Sequence, residues 1–118
     1  MKLLIVDDSG IVRRTIERQI DTQGITEIFH ASNGFEALEI FRRYLPDLVT
    51  MDITMPGMDG LTCVTRMMKE KPDTRLMVIS ALGDAETAIE AVERGANEYI
   101  FKPFTSEELN NALKNLLR

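Results

Sequence analysis

Short runs of branched apolar residues alternate along the chain with longer segments whose apolar positions recur at helical spacing. Runs of the first kind are typical of buried parallel strands, and the segments between them are long enough to be crossover helices. The pattern predicts strands at about Lys2–Asp7, Glu27–Ala31, Asp47–Asp52, Leu76–Ala81 and Glu98–Lys102.

Capping residues and helix breakers mark the predicted helices between these strands. The first helix runs from about Ser9 to Thr22, and Pro46 stops the second. Pro56, Gly57 and Gly60 indicate a loop before the third. Helix starts carry residues whose side chains accept hydrogen bonds from first-turn amides: Asn33 with Glu36, Asp84, and Thr105 with Glu108 as a capping box.

Strict alternation of strand and helix predicts an α/β fold, a doubly wound five-stranded parallel sheet with five helices, because each parallel crossover carries a helix. The length of 118 residues accommodates one domain, residues 1–118. Sheets of this class bind ligands beyond the carboxyl ends of their strands. The candidate chemistry should therefore lie at that edge.

Charged and hydroxyl side chains collect at this edge. Asp7 ends the first strand and Asp8 comes directly after it, Asp52 ends the third, Ser80 lies near the end of the fourth and Lys102 ends the fifth. Like charges do not gather in a cleft without a cation. The grouping predicts a magnesium-dependent site that handles phosphate.

The residue types suggest a separate chemical role for each of these side chains. Magnesium takes oxygen ligands, so Asp8 and Asp52 would bind it directly, Asp7 directly or through a water, and the carbonyl of Thr54 would add another ligand. Asp52 is then the nucleophile toward a phosphoryl group. Lys102 and the Ser80 hydroxyl would contact the phosphoryl oxygens, and the product would be an acyl phosphate.

Composition narrows the function classes. With 14 basic and 19 acidic residues the net charge is -5, the wrong sign for holding nucleic acid. Cys63 is the only cysteine, and no apolar stretch is long enough for a signal peptide or membrane span. We therefore expect a cytoplasmic protein. The single histidine, His30, is expected to be structural or surface-exposed, not a phosphodonor.

Several motifs resemble those of bacterial two-component response-regulator receiver domains. The resemblance covers the whole chain and rests on Leu4–Ser9, Met51–Gly60, Ser80-Ala81 and Tyr99–Phe104, in order and spacing. It implies a flavodoxin-like strand order 2-1-3-4-5, a cis bond between Lys102 and Pro103, and a phosphoryl group accepted by Asp52 from a sensor histidine kinase (CheA-like).

The resemblance also implies a switch. When Asp52 is phosphorylated, Ser80 is expected to move toward the phosphoryl oxygen and Tyr99 to turn into the vacated space. The face formed by helix 4, strand 5 and helix 5 would then bind a downstream protein. We expect a monomer that promotes only its own phosphorylation and dephosphorylation and is not otherwise an enzyme.

Three other functions fit these residues less well. A flavin-binding electron carrier would offer hydroxyls and amides in the first loop, where Asp7 and Asp8 stand. An aspartate-based phosphohydrolase would need a second acid soon after Asp52, where Ile53 and Thr54 stand. A receiver-shaped module that only binds partners would not need the complete acceptor set.

The output is expected to be of the chemotaxis type, as a stand-alone regulator, because no effector domain follows Arg118. The alternative is a receiver domain cut from a longer regulator with a transcriptional or enzymatic output domain.

Overall fold

The computed structural model describes residues 1–55, 57–81 and 83–118, so Pro56, assigned above to a loop, and Leu82 lie outside the described residues. Over the described ranges the chain forms five strands and five helices in alternation. In chain order they are β1 (Lys2–Val6), α1 (Gly10–Gln19), β2 (Glu27–Ala31), α2 (Gly34–Tyr44), β3 (Leu48–Met51), α3 (Gly60–Glu70), β4 (Arg75–Ser80), α4 (Ala85–Glu93), β5 (Glu98–Phe101) and α5 (Ser106–Leu116).

The strands form one sheet in the order β2-β1-β3-β4-β5, and every neighbouring pair is parallel. This confirms the predicted doubly wound sheet and its strand order. The order reverses direction between β1 and β3, where ligands bind in sheets of this class. In register, Val6 at the end of β1 lies beside Met51 at the end of β3.

The core is divided between the two faces of the sheet, because successive strand residues point to opposite sides. Alternate residues of the central strands pack under α2, α3 and α4: Leu4, Val6, Val49, Met51, Leu76 and Val78. The residues between them pack under α1 and α5: Leu3, Ile5, Leu48, Met77 and Ile79. Both faces of the central strands are therefore covered, and β1 and β3 are held firmly.

The helix starts follow the predicted caps. Asn33 and Asp84 each accept a hydrogen bond from a first-turn amide, and Thr105 forms the full capping box with Glu108. Glu36 differs in one detail, because its carboxylate accepts from the N–H of Ser32 instead of that of Asn33. These caps fix where the chain turns from sheet edge into helix.

The predicted end of the first helix is wrong. The first helix ends at Gln19 and not at Thr22, because Ile20 is extended. The Asn110 side chain of α5 accepts a hydrogen bond from the N–H of Asp21 at 2.7 Å and donates one to the Gln19 carbonyl at 2.9 Å. A tertiary contact that helical periodicity does not reveal thus takes the place of the last helical turn.

Small shifts occur at the strands as well. Asp7, Asp52, Ala81 and Lys102 lie just beyond the ends of their strands, and β4 begins at Arg75 instead of Leu76. The charged residues are therefore on the loops at the sheet edge. Here their side chains are not tied to the alternating directions of a strand.

Candidate functional site

Three carboxylates meet at the carboxyl edge of β1 and β3. Asp7, Asp8 and Asp52 each offer an oxygen within 4.8 Å of the others. Asp7 and Asp52 are 1% and 3% exposed, whereas Asp8 is open to solvent. The N–H of Asp52 donates to the Val6 carbonyl at 2.9 Å, which extends the β1–β3 pairing to the acidic residues. We call these three residues the acid cluster.

Lys102 brings a positive charge into the acid cluster from the end of β5. Its Nζ donates to Asp7 Oδ2 at 2.7 Å and lies 3.4 Å from Asp52 Oδ2. The Lys102–Pro103 peptide bond is cis, as the resemblance implied. One ammonium against three carboxylates leaves the described cluster with an excess of negative charge.

The burial and close spacing of these charged groups shift the pKa values of Asp7 and Lys102. Burial raises the pKa of Asp7 above its ordinary 3.8, although the hydrogen bonds from Lys102 and from the Ser9 N–H act in the opposite direction. For Lys102, burial acts to lower the pKa, but the hydrogen bond to Asp7 and the charge of Asp52 outweigh it and raise the pKa above 10.5. Desolvation of Asp7 is thus not fully compensated by the lysine.

Thr54 holds one side of the Asp52 carboxylate. Its hydroxyl donates to Asp52 Oδ1 at 2.8 Å, and its N–H donates to the same oxygen at 3.0 Å. The other oxygen, Oδ2, faces Lys102. Asp52 therefore has a defined orientation, with one oxygen tied to its own loop and the other directed at the ammonium.

A glycine lets this loop return to the end of β3. A Cβ at Gly60 would lie 2.4 Å from the carbonyl oxygen of Asp52 and from the Cα of Ile53. No side chain fits in that space. The close approach packs the start of α3 directly against the residue that carries the candidate acceptor carboxylate.

Ser80 and Tyr99 meet beside the acid cluster on neighbouring strands. Ser80 is fully buried at the end of β4, and its side chain is hydrogen-bonded to the half-buried Tyr99 hydroxyl. Burial raises the pKa of Tyr99 above its ordinary value, although the hydrogen bond with Ser80 acts in the opposite direction. The Tyr99 ring also meets the Phe101 ring edge-on at 5.3 Å between centroids. A contact chain thus runs from Ser80 to the surface of β5.

Comparison with known families decides the relationship. The model of the response regulator receiver domain matches residues 3–114 of this chain. The chain belongs to this family. The resemblance inferred from the motifs is therefore confirmed, and the chain is a signalling receiver of two-component systems.

Individual relatives agree with this assignment. The chemotaxis protein CheY of Thermotoga maritima is 38% identical over 115 residues, which cover 98% of this chain and 96% of that protein. A protein-glutamate methylesterase/protein-glutamine glutaminase of Rhodospirillum rubrum is 44% identical over 92% of this chain but only 30% of its own length. A chain of the CheX-CheY-BeF3-Mg+2 complex of Borrelia burgdorferi superposes with a TM-score of 0.89 at 32% identity, covering 99% of this chain and 87% of that one.

Arg13 is a residue of this receiver domain whose contact the sequence did not reveal. A run of basic residues on one helix, here with Arg14 and Arg18, is typical of a solvated face, and those two residues are exposed. Arg13 is instead half-buried, and its Nη1 donates to the Asp7 carbonyl at 2.5 Å. It holds the backbone at the end of β1 beside the acid cluster. Only the path of the chain around Asp7 brings the two together.

Thr54 is a second such residue, since only its carbonyl was considered beforehand. The sequence does contain a signal for the backbone contact, because an aspartate side chain often accepts a hydrogen bond from the N–H two residues further on. The hydroxyl contact with Asp52 adds a side-chain role to the expected carbonyl ligand.

Two other reactive residues of the receiver domain take no part in the cluster. His30 Nε2 lies 2.8 Å from Glu17 Oε1, on the surface between β2 and α1. Cys63 is buried, and burial raises the pKa of its thiol to about 11. His30 thus lies at the surface in contact with Glu17, and Cys63 packs in the core. Among the described residues, no helix is long and apolar enough to span a bilayer.

Proposed function

We propose that this receiver domain accepts a phosphoryl group on Asp52 from a histidine of a partner kinase and thereby alters the surface formed by α4, β5 and α5. The observation that carries the proposal is the state of Asp52. It is a buried carboxylate, oriented by Thr54 through one oxygen and approached by the Lys102 ammonium at the other, within a cluster of acids.

The acid cluster suits a divalent cation. Its donors are carboxylate oxygens that can converge on one ion, and exposed Asp8 leaves one side open for the water ligands that magnesium retains. Asp7, Asp8 and Asp52 would hold Mg²⁺, with the Thr54 carbonyl as a further ligand. When bound, the ion supplies the positive charge that lets an anionic phosphoryl group approach this acidic site.

The chemical step is a transfer between two nucleophiles. An oxygen of Asp52 attacks phosphorus, and the bond between phosphorus and the donor histidine nitrogen breaks, with its electron pair returning to that nitrogen. The products are an acyl phosphate on Asp52 and a dephosphorylated histidine. Lys102 faces the developing phosphoryl charge from the β5 side, and the Ser80 hydroxyl can donate to another phosphoryl oxygen.

A cleft beside Lys102 suits a protein donor. It has a volume of about 490 Å³ and lies between α1 and the segment after β5, with a largely apolar lining. Exposed Ile11 extends the apolar surface of α1 next to it. An amphipathic kinase helix that carries the phosphohistidine could dock its apolar side chains here and bring the phosphoryl group to the acid cluster.

The switch follows from competition for one hydroxyl. Ser80 cannot keep its hydrogen bond with Tyr99 unchanged while it turns toward a phosphoryl oxygen on Asp52. Phosphorylation would release Tyr99, whose ring contacts Phe101 on the surface of β5. A charge change at the buried site would thereby shift the population of two surface conformations.

Chemotaxis-type control of a partner protein is the output that we propose first. It is supported by the near full-length match to CheY proteins, for example that of Thermotoga maritima. The second candidate is an output domain outside this chain, as in the methylesterase of Rhodospirillum rubrum, of which the match covers only 30%. We place either activity in the cytoplasm, since a single buried cysteine suits a reducing compartment.

Intact mass spectrometry tests the acceptor directly. The wild type, incubated with acetyl phosphate and Mg²⁺, should gain the mass of one phosphoryl group, and chelation of the metal should prevent the gain. Asp52→Asn should gain nothing. Asp73→Asn, which removes an exposed carboxylate elsewhere, should behave as the wild type does. Modification that persists in Asp52→Asn would rule out this residue as the acceptor.

A further inference from the structure

Exposed apolar side chains lie along α4 and at the end of β5. Ile89, Val92 and Phe101 are 57%, 55% and 49% exposed, which is unusual for side chains of this size. A shallow hollow of about 290 Å³ opens between Ala88, Ile89, Val92 and Glu93. We call Ala88, Ile89, Val92 and Phe101 the α4 stripe.

Glutamates border the stripe on one side. At roughly 3.6 residues per turn, Glu86, Glu90 and Glu93 fall together beside Ile89, on the side of α4 that faces α3. That side is identified by Arg94, which follows α4 and donates to Thr65 of α3. All three glutamates are exposed.

Positive charge is scarce on this part of the surface. Arg94 is committed to Glu90 at 2.8 Å and to Thr65 at 3.1 Å. Lys114 is the one lysine or arginine within α4, β5 and α5, all described in full, and it lies beside Asp21 toward α1. Against it, the same three elements carry six carboxylates: Glu86, Glu90, Glu93, Glu98, Glu107 and Glu108.

This charge distribution indicates which kind of partner can bind the α4 stripe. A second copy of the chain, paired symmetrically through the stripe, would bring the same glutamates against each other, and like charges at an interface are costly. An acidic segment is disfavoured for the same reason. A helix with apolar residues on one face and lysine or arginine beside them satisfies both the stripe and the glutamates.

We propose that the α4 stripe binds a basic amphipathic helix of the downstream partner, with its apolar side chains over Ile89 and Val92 and its cations beside Glu86 and Glu93. The inference deepens the proposed function, on which it rests for the choice of this face as the output surface. It specifies the partner by charge and shape.

Two designed peptides provide the test. Both are amphipathic helices of about 16 residues with identical apolar positions. At the positions that border the apolar face, one peptide carries lysine and the other carries glutamate. Binding to the full chain is measured by fluorescence anisotropy, with and without prior treatment with acetyl phosphate and Mg²⁺. The lysine peptide should bind and the glutamate peptide should not. Raising the salt to about 0.5 M should weaken the binding.

Matched variants locate the contact. Glu86→Gln/Glu93→Gln should weaken binding of the lysine peptide roughly tenfold, because two exposed charge pairs are lost. Glu27→Gln/Glu39→Gln removes two exposed charges elsewhere and should bind as the wild type does. Ile89→Ala should also weaken binding, whereas Leu45→Ala, which truncates a similarly exposed apolar side chain after α2, should not.

Equal binding of the two peptides, an unchanged affinity in Glu86→Gln/Glu93→Gln, or a dimer of the chain formed through the stripe would overturn the inference. The proposed function has its own readout in the mass gained at Asp52. Selective binding of the lysine peptide to a chain that is never phosphorylated would leave this inference standing and remove the proposed function. Phosphorylation without peptide selectivity would do the reverse.

Discussion

The acid cluster and the α4 stripe lie at differently packed parts of the same sheet. Asp7 and Asp52 follow β1 and β3, central strands whose residues are almost entirely buried under helices on both faces. By contrast, α4, described in full, buries Ala91 alone, and no residue of the edge strand β5 is fully buried. The candidate phosphorylation site therefore lies at the well-packed centre of the sheet, and the proposed binding surface lies on elements that are much less buried.

This difference suits a switch. A phosphoryl acceptor needs fixed distances between the nucleophile, the cation and the ammonium, which firmly packed strands provide. A surface that must change with phosphorylation needs two conformations of similar free energy, and weakly packed elements have them. The hydrogen bond between Ser80 and Tyr99 connects the two regions.

Two glycine substitutions should show the contrast most strongly. Gly60→Ala puts a Cβ 2.4 Å from the Asp52 carbonyl oxygen, so it should lower the free energy of unfolding by about 3 kcal/mol. For Gly83→Ala, before α4, the nearest described atom beyond its chain neighbours is Phe101 Cδ1 at 4.0 Å, so it should change this free energy by less than about 0.5 kcal/mol. Urea unfolding measures both. Equal effects would show that the two regions do not differ in packing.

Lys102→Met should slow phosphorylation by acetyl phosphate about 100-fold, because the charge that faces the phosphoryl oxygens is removed while the apolar stem remains. Lys114→Met, on α5, is the matched control and should leave the rate unchanged. The rate follows from mass spectra taken over time. If Lys102→Met reacted as fast as the wild type, phosphorylation of Asp52 would not depend on the Lys102 ammonium.

Asp7→Asn should raise the free energy of unfolding in the absence of metal by about 1 kcal/mol at neutral pH. The substitution removes a buried charge from a site with excess negative charge, and Lys102 keeps Asp52 as a partner. Addition of Mg²⁺ should stabilise the wild type more than the variant, because the wild type offers one more ligand.

The pH dependence of this difference has a definite sign. Because burial raises the pKa of Asp7 in the folded chain, the folded state binds the proton more tightly than the unfolded state. The loss of stability caused by the buried Asp7 charge is complete above the pKa of the folded state. It disappears as the pH falls toward the ordinary value of 3.8. The difference in free energy of unfolding between Asp7→Asn and the wild type should therefore become smaller in acid. A gap that is constant with pH would mean that the Asp7 charge is not its cause.

Much of the fold and the acid cluster could be predicted from the sequence, because the signals are local. Apolar runs marked the strands, and side chains such as Asn33, Asp84 and Thr105 marked the helix starts. Parallel strands place their carboxyl ends at one edge, so Asp7, Asp52 and Lys102 had to approach each other. The family motifs, not periodicity, supplied the strand order and the proposed switch role of Tyr99.

The sequence by itself determined which residue types reach the sheet edge, since strand direction and spacing are properties of the local pattern. Only the tertiary structure decided which contacts they make there: Arg13 on the Asp7 carbonyl, the Thr54 hydroxyl on Asp52, and Asn110 at the end of α1. The physical reason is that such contacts depend on side-chain direction within ångströms, which is set by the packing of segments far apart in the chain.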